Sequence, residues 1–157
     1  MAKVFLAGDH AFFALKGVLA EHAHSLGHEV EDLGAFSFNE NDDYPDFIAM
    51  CASHVASTSG SFGIIGGGSG QGEEMVANRI AGIRADVCYG KSAQQEDLSL
   101  PDDGYNIVRL AREHNNANML SFGARFMTNA EAKEALRIFL ATPFSGDERH
   151  RRRLAKF

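Results

Sequence analysis

The sequence predicts an α/β protein, with a five-stranded parallel sheet covered by helices on both faces. Three observations predict it. Short apolar runs suited to buried strands alternate along the chain with segments of helical period. One such run, Phe62 to Ile65, leads through a glycine-rich turn into another helix pattern. The length, 157 residues, suits one domain with a real core. Strands that alternate with helices pair in parallel and need cover on both sides.

The elements follow in order. Lys3 to Ala7 reads as a short buried strand with Gly8-Asp9-His10 as its exit turn. A helix follows, with Leu15, Val18, Leu19 and Leu26 on one face, and ends near Gly27. Val30 to Leu33 is a weaker strand, interrupted by Glu31 and Asp32, and Phe36 to Asp43 is loop. Pro45 suits a first helical position, and Phe47, Cys51 and Val55 continue one face. After a turn at Ser57 to Ser61 comes the third strand, Phe62 to Ile65. The helix beyond the glycines carries Met75, Val76 and Ile80. Ile83 to Tyr89 is the fourth strand, Gly90 to Gly104 is polar loop, Tyr105 to Glu113 a helix, and Asn118 to Phe122 the fifth strand. Thr128-Asn129-Ala130-Glu131 is a capping box. It opens a helix with Ala132, Ala135, Leu136, Phe139 and Leu140 on one face.

The glycine turn is the chemically loudest stretch. Five of the seven positions from Gly66 to Gly72 are glycine. Its free amides and the helix start favour negative charge, so it suits an anion or a developing oxyanion. A tight turn without a ligand is the plain alternative. It is not a P-loop, because Glu73 and Glu74 stand where Lys and Ser or Thr are needed. It is not the dinucleotide fingerprint either, since it reads G-x-G-x-G after the third strand rather than the first.

Composition narrows the classes. A net charge of −6 argues against a general nucleic-acid binder. No apolar run reaches membrane-spanning length, and the apolar stretch before Asp9 is too short for a signal peptide. Two cysteines, Cys51 and Cys88, make no disulfide framework, so the expected location is the cytoplasm. His22, His24 and His28 have the wrong helical spacing to share a metal and read as exposed, and Cys51 reads as core.

Several groups could do chemistry. Asp9 suits a helix N-cap or a substrate contact equally well. Glu73 suits dipole complementation at a helix start or a general base, with Glu74 as its competitor. One of the pair should face the site and the other solvent or a subunit surface. His114, beside Asn115 and Asn116, is either a helix C-cap or a proton donor. Arg149 and Arg153 lie one helical turn apart in a basic tail, either as a solvated end or as a phosphate grip.

At this point the motifs form an ordered set. Gly8-Asp9-His10-Ala11, Asp43-Tyr44-Pro45-Asp46, Gly67 to Glu73, Ala77-Asn78-Arg79, Gly82-Ile83-Arg84, Arg112 to Asn118, Gly123-Ala124-Arg125 and Arg149 to Arg153 together resemble the type B ribose-5-phosphate isomerase family. That family also holds galactose-6-phosphate and allose-6-phosphate isomerases. The resemblance covers nearly the whole chain, 1–157, as a single domain with an Arg-rich segment at about 147–157. It implies a three-layer Rossmann-like α/β/α fold and aldose–ketose isomerisation without metal or other cofactor. It also implies a homodimer or homotetramer with active sites at the subunit interface. Many members carry a cysteine base where Gly67 stands; this chain resembles the branch whose base is the glutamate after the loop.

Residue by residue, the resemblance implies that Glu73 moves the proton between C2 and C1. Asp9 binds sugar hydroxyls, and His114 assists ring opening with Asn115 beside it. Gly68, Gly70 and Gly72, with Ser69, stabilise the enediolate oxygen. His10, Arg125, Arg149 and Arg153 hold the phosphate. For Glu73, a helix start implies a fully ionised, weak base whose pKa rises only when substrate dries the site. Two departures bear on the substrate: Phe12 where members usually have glycine, expected near the site, and about fourteen extra residues between Tyr89 and Tyr105. Ribose 5-phosphate is the first-choice sugar, a hexose or tetrose phosphate the second. A non-catalytic sugar-phosphate binder is the alternative outside the class, and neither nucleic acid nor membrane is an expected partner.

Overall fold

A computed structural model describes residues 1–91 and 106–156. Five strands form one wholly parallel sheet: β1 (Lys3–Gly8), β2 (Glu29–Asp32), β3 (Phe62–Gly67), β4 (Ala85–Cys88) and β5 (Met119–Gly123). Their spatial order is β2-β1-β3-β5-β4. The helices are α1 (Phe13–Ser25), α2 (Tyr44–Ser57), α3 (Gln71–Ala77), α4 (Asn106–Glu113), α5 (Asn129–Ala141) and α6 (Glu148–Leu154). The expected extra segment at 90–104 lies almost wholly outside the described residues.

Strand alternation divides the core into two layers. Val4, Leu6, Ile64, Leu120 and Phe122 point to one face, where Leu15 and Leu19 of α1, Val108 of α4 and Leu136 and Phe139 of α5 cover them. Phe5, Ala7, Ile65 and Met119 point to the other, beneath Ile48, Cys51 and Val55 of α2 and Ala77 of α3. This is the expected three-layer arrangement. β2 is the half-exposed edge strand, and Lys3 ties it to β1 by ion pairs to Glu29 and Glu31. The capping box forms: Thr128 Oγ1 accepts from Glu131 N at 3.3 Å, and Thr128 N donates to Glu131 Oε2 at 2.8 Å.

Three expectations are corrected. Leu26 is exposed, and Lys16 takes its place on the covered face of α1. Its ammonium is held by Asp32 Oδ1 at 2.6 Å and by Ala35 O at 2.7 Å, which lets a lysine lie in the core layer. Ile80 lies past the end of α3, which carries Met75 and Val76, though the Ile80 side chain still packs against the core. Phe12 does not line the site. It is fully buried and stacks on Phe122 at 6.2 Å. A Cβ on Gly66 would lie 2.5 Å from its ring, so the phenyl group fills space beneath the strand ends rather than above them.

Chain direction matters most for the site. β1 connects leftward to β2, while the next strand, β3, lies on its right. A crevice opens at this switch point, beyond the carboxyl ends of β1 and β3, and ligands of such sheets bind there.

Candidate active site

The switch point gathers the first half of the expected site. Asp9 leaves β1 with 7% of its surface exposed. Its Oδ1 accepts the Ala11 amide at 3.0 Å, and its Oδ2 lies 4.0 Å from His10 Nδ1. The helix-cap reading of Asp9 is corrected: Phe12 is the N-cap of α1 and no side chain caps it, while Asp9 Oδ1 braces the exit turn ahead of the helix. His10 follows, with Nδ1 2.7 Å from Asp42 Oδ1. The Asp42 hydrogen bond holds its pKa above the usual range, against partial desolvation and the charge of Arg125.

From β3 the chain enters the glycine loop, which turns at Gly70 with φ +75°, a conformation that strains any side chain. Ser121 Oγ donates to Gly70 O at 2.7 Å and Arg125 N donates to Gly68 O at 3.2 Å, so the end of β5 holds the loop. Among the described hydrogen bonds, the Ser69 and Gly70 amides have no protein acceptor. Arg125 is exposed at the rim, its guanidinium over Gly68.

Glu73 stands on the first turn of α3 and is only 4% exposed. Its carboxylate lies against the backbone of Gly67, where any added Cβ would collide with Oε1. Glycine at 67 is thus the condition for this carboxylate position. Burial raises the Glu73 pKa above the usual carboxylate range, and Asp9 adds to the rise, while a backbone hydrogen bond opposes it. The expectation of an ordinary base until substrate binds is corrected, because the site is already partly dry. Glu74 faces away and is half-buried near Asp86; burial, then Asp86, raises its pKa too.

The second half of the expected site lies elsewhere. α4 runs back from the carboxyl ends of the strands, so His114 and Asn115 sit by the amino end of β5. A five- or six-residue strand separates the two poles by about 16–20 Å. His114 packs on His150, with ring centroids 4.1 Å apart. Burial, then His150 and Arg149, lower its pKa. Asn115 is exposed and hydrogen-bonds Asp86. Arg149 and Arg153 are exposed on α6, one turn apart as expected. Arg149 Nε donates to His150 Nε2 at 2.9 Å, which leaves the proton of that ring on Nδ1, within 3.4 Å of Glu113 O.

Sequence reasoning missed three residues. Tyr44 covers the loop, its hydroxyl 2.5 Å from where a Gly72 Cβ would be. Asp42 pairs with His10, and buried His150 docks α6 onto α4. Tyr44 and His150 lie inside the ordered motifs, but their roles, like that of Asp42, depend on contacts between distant segments. Cys51 and Cys88 are buried, and desolvation pushes both thiols far up, so neither offers a thiolate. Among the described residues, one group has ligand atoms spaced as a cation would need, namely Asp9, His10 and Asp42, all within 4.8 Å. Its shortest contact is the His10–Asp42 hydrogen bond, which already occupies Nδ1. No described helix is long and apolar enough to cross a membrane.

A buried carboxylate against an amide-lined loop, at the switch point of a parallel sheet, is a proton-transfer site in form. The profile of the ribose/galactose isomerase family matches residues 4–99 and 103–157. The chain belongs to this family. Among its relatives, ribose-5-phosphate isomerase B of Mycobacterium leprae is 38% identical over 97% of this chain and 85% of its own. The Escherichia coli enzyme of the same name is 34% identical over 98% and 93%. Ribose-5-phosphate isomerase B from Mycoplasma genitalium, solved with bound ribulose 5-phosphate, superposes with a TM-score of 0.85 at 34% identity, covering 98% of this chain and 92% of its own. The type B enzyme of Trypanosoma brucei gives 0.86 at 32% identity, covering 99% and 96%. The family assignment drawn from the ordered motifs thus holds, as does the isomerase class.

Proposed function

We propose that this family member interconverts ribose 5-phosphate and ribulose 5-phosphate by proton transfer through an enediolate. The observation that carries the reading is the Glu73 carboxylate, buried against Gly67 beside the glycine loop. In the forward direction Glu73 takes the C2 proton of the open-chain aldose. The electron pair forms the C1–C2 double bond, and negative charge develops on O1. The loop amides, with Ser69, receive that charge. A proton passes from the O2 hydroxyl to O1, and Glu73 returns its proton to C1, giving the ketose. A base with a raised pKa is better matched to this task than an ordinary carboxylate.

Asp9 binds the sugar hydroxyls next to Glu73. His10 and Arg125 hold the phosphate from the same subunit. His114, Asn115, Arg149 and Arg153 stand at the opposite pole of their own sheet, so they serve the site of a second copy in a homodimer. Binding energy from the phosphate is then available at the reacting carbons, and the distance from phosphate to Glu73 selects sugar length. No metal takes part in this scheme.

The test is a substrate panel with EDTA present: ribose 5-phosphate, allose 6-phosphate, galactose 6-phosphate and erythrose 4-phosphate. Ribose 5-phosphate should turn over fastest, with the rate unchanged by EDTA. Preference for a hexose or tetrose phosphate would move the substrate within the class. Tight binding without turnover of any would contradict catalysis.

A further inference from the structure

The loop before α2 contributes a group that the proposed mechanism has not used. Asn39 to Asp42 form a turn in which Asp42 N donates to Asn39 O at 3.1 Å and Asn41 N to Asn39 Oδ1 at 3.1 Å. The turn sends the Asp42 side chain inward, where it is 8% exposed. Its Oδ1 accepts twice from one residue: from the His10 backbone N at 3.1 Å and from the His10 ring Nδ1 at 2.7 Å. Its Oδ2 is buried and has no hydrogen-bond partner. The Phe38 ring meets the imidazole edge-on at 6.0 Å and walls its side.

The geometry points to Asp42 as a positioning residue that holds the His10 ring by Nδ1 and leaves its Nε2 edge to the substrate phosphate. This rests on the placement of His10 in the phosphate grip proposed above. Two contacts to one oxygen fix both the backbone and the ring, so the imidazole cannot turn. With the Nδ1 proton committed to Asp42, a neutral ring would present a bare Nε2 lone pair, which repels phosphate. Only the imidazolium can donate from Nε2. A buried carboxylate with an unpartnered oxygen in turn needs a nearby positive charge. Asp42 therefore favours the charged form of the His10 ring.

The charged groups facing His10 fit this division. Asp42 raises its pKa most and Asp9, with Oδ2 at 4.0 Å, adds to the rise, while burial and Arg125 oppose it. Asp9 cannot replace Asp42, because its Oδ1 is committed to the Ala11 amide and its Oδ2 lies too far for a hydrogen bond.

The test uses Asp42→Asn, which keeps an accepting oxygen and removes the charge. Histidine ring signals labelled with carbon-13 are titrated in the whole protein, with His10 assigned from its loss in His10→Asn. Inorganic sulfate is the probe, since its charge does not change between pH 5 and 8. In Asp42→Asn the His10 titration should fall by about one pH unit, and sulfate binding near pH 7 should weaken about tenfold. Binding should recover at pH 5.5, where the ring is protonated without help. Damage to folding would weaken binding at every pH alike, so a pH-independent loss overturns the proposal. An unchanged His10 titration overturns it as well. A lowered titration with unchanged sulfate affinity would remove His10 from the phosphate grip; turnover of ribose 5-phosphate, measured alongside, tells that failure apart from failure of the isomerase reading.

Discussion

At the residue scale the decisive balance is at Glu73. A helix start favours its ionised form, but burial outweighs this and raises its pKa, with Asp9 adding repulsion. The sequence shows the first influence and not the second, because burial depends on the carboxylate folding back against the backbone of Gly67. Glu73→Gln should lower kcat by about 10²–10⁴-fold with KM nearly unchanged, as expected for a lost general base. If Glu74→Gln shows that loss and Glu73→Gln does not, the base is misassigned. The sign of the pH dependence follows. The reaction needs Glu73 ionised, so activity falls as pH drops through its pKa, and the acid limb should lie above the ordinary glutamate value. The same shift means that the folded chain disfavours a charge at 73, so Glu73→Gln should raise the melting temperature at neutral pH. Gly67→Ala tests the seat itself. A Cβ there must push the carboxylate aside, and a loss of about tenfold or more in kcat is expected from misplacement alone.

At the element scale, period and punctuation carried most of the fold. All five strands and the α5 capping box were legible because apolar spacing and turn residues are local properties. Thr128→Ala should cost about 1 kcal/mol, read from urea unfolding. What local pattern cannot show is which face meets what. Lys16 lies in the core layer because Asp32, sixteen residues away, reaches its ammonium. Phe12 looked like a substrate-facing departure but is a core residue, since Gly8 and Gly66 leave the space it fills. Phe12→Ala should therefore cost about 3–5 kcal/mol of stability in the same unfolding experiment. A stable variant with altered sugar preference would return Phe12 to the site. The basic tail is likewise more than a solvated end, for buried His150 anchors α6 to the end of α4.

At the scale of the whole molecule, parallel topology divides the candidate residues between two poles. Asp9, His10, the glycine loop, Glu73 and Arg125 lie beyond the carboxyl ends of the strands, and His114 with α6 lies at the amino ends. The motifs named the residues but could not show that a single chain keeps them apart. If two copies complete each other's sites, mixing Glu73→Gln chains with His114→Ala chains should restore activity. Each mixed dimer would hold one site with both residues intact, so up to about a quarter of wild-type turnover should return after random exchange, under a statistical count of sites. No recovery would mean that each chain completes its own site. The central claim is that Glu73 carries a proton between C2 and C1, and isomerisation in heavy water tests it most directly. Wild-type protein should convert ribose 5-phosphate into ribulose 5-phosphate, with deuterium at C1 seen by NMR to the extent that Glu73 exchanges its proton with solvent before returning it, and Glu73→Gln should form neither product nor label. Product formed, or C1 labelled, equally well by Glu73→Gln would contradict it.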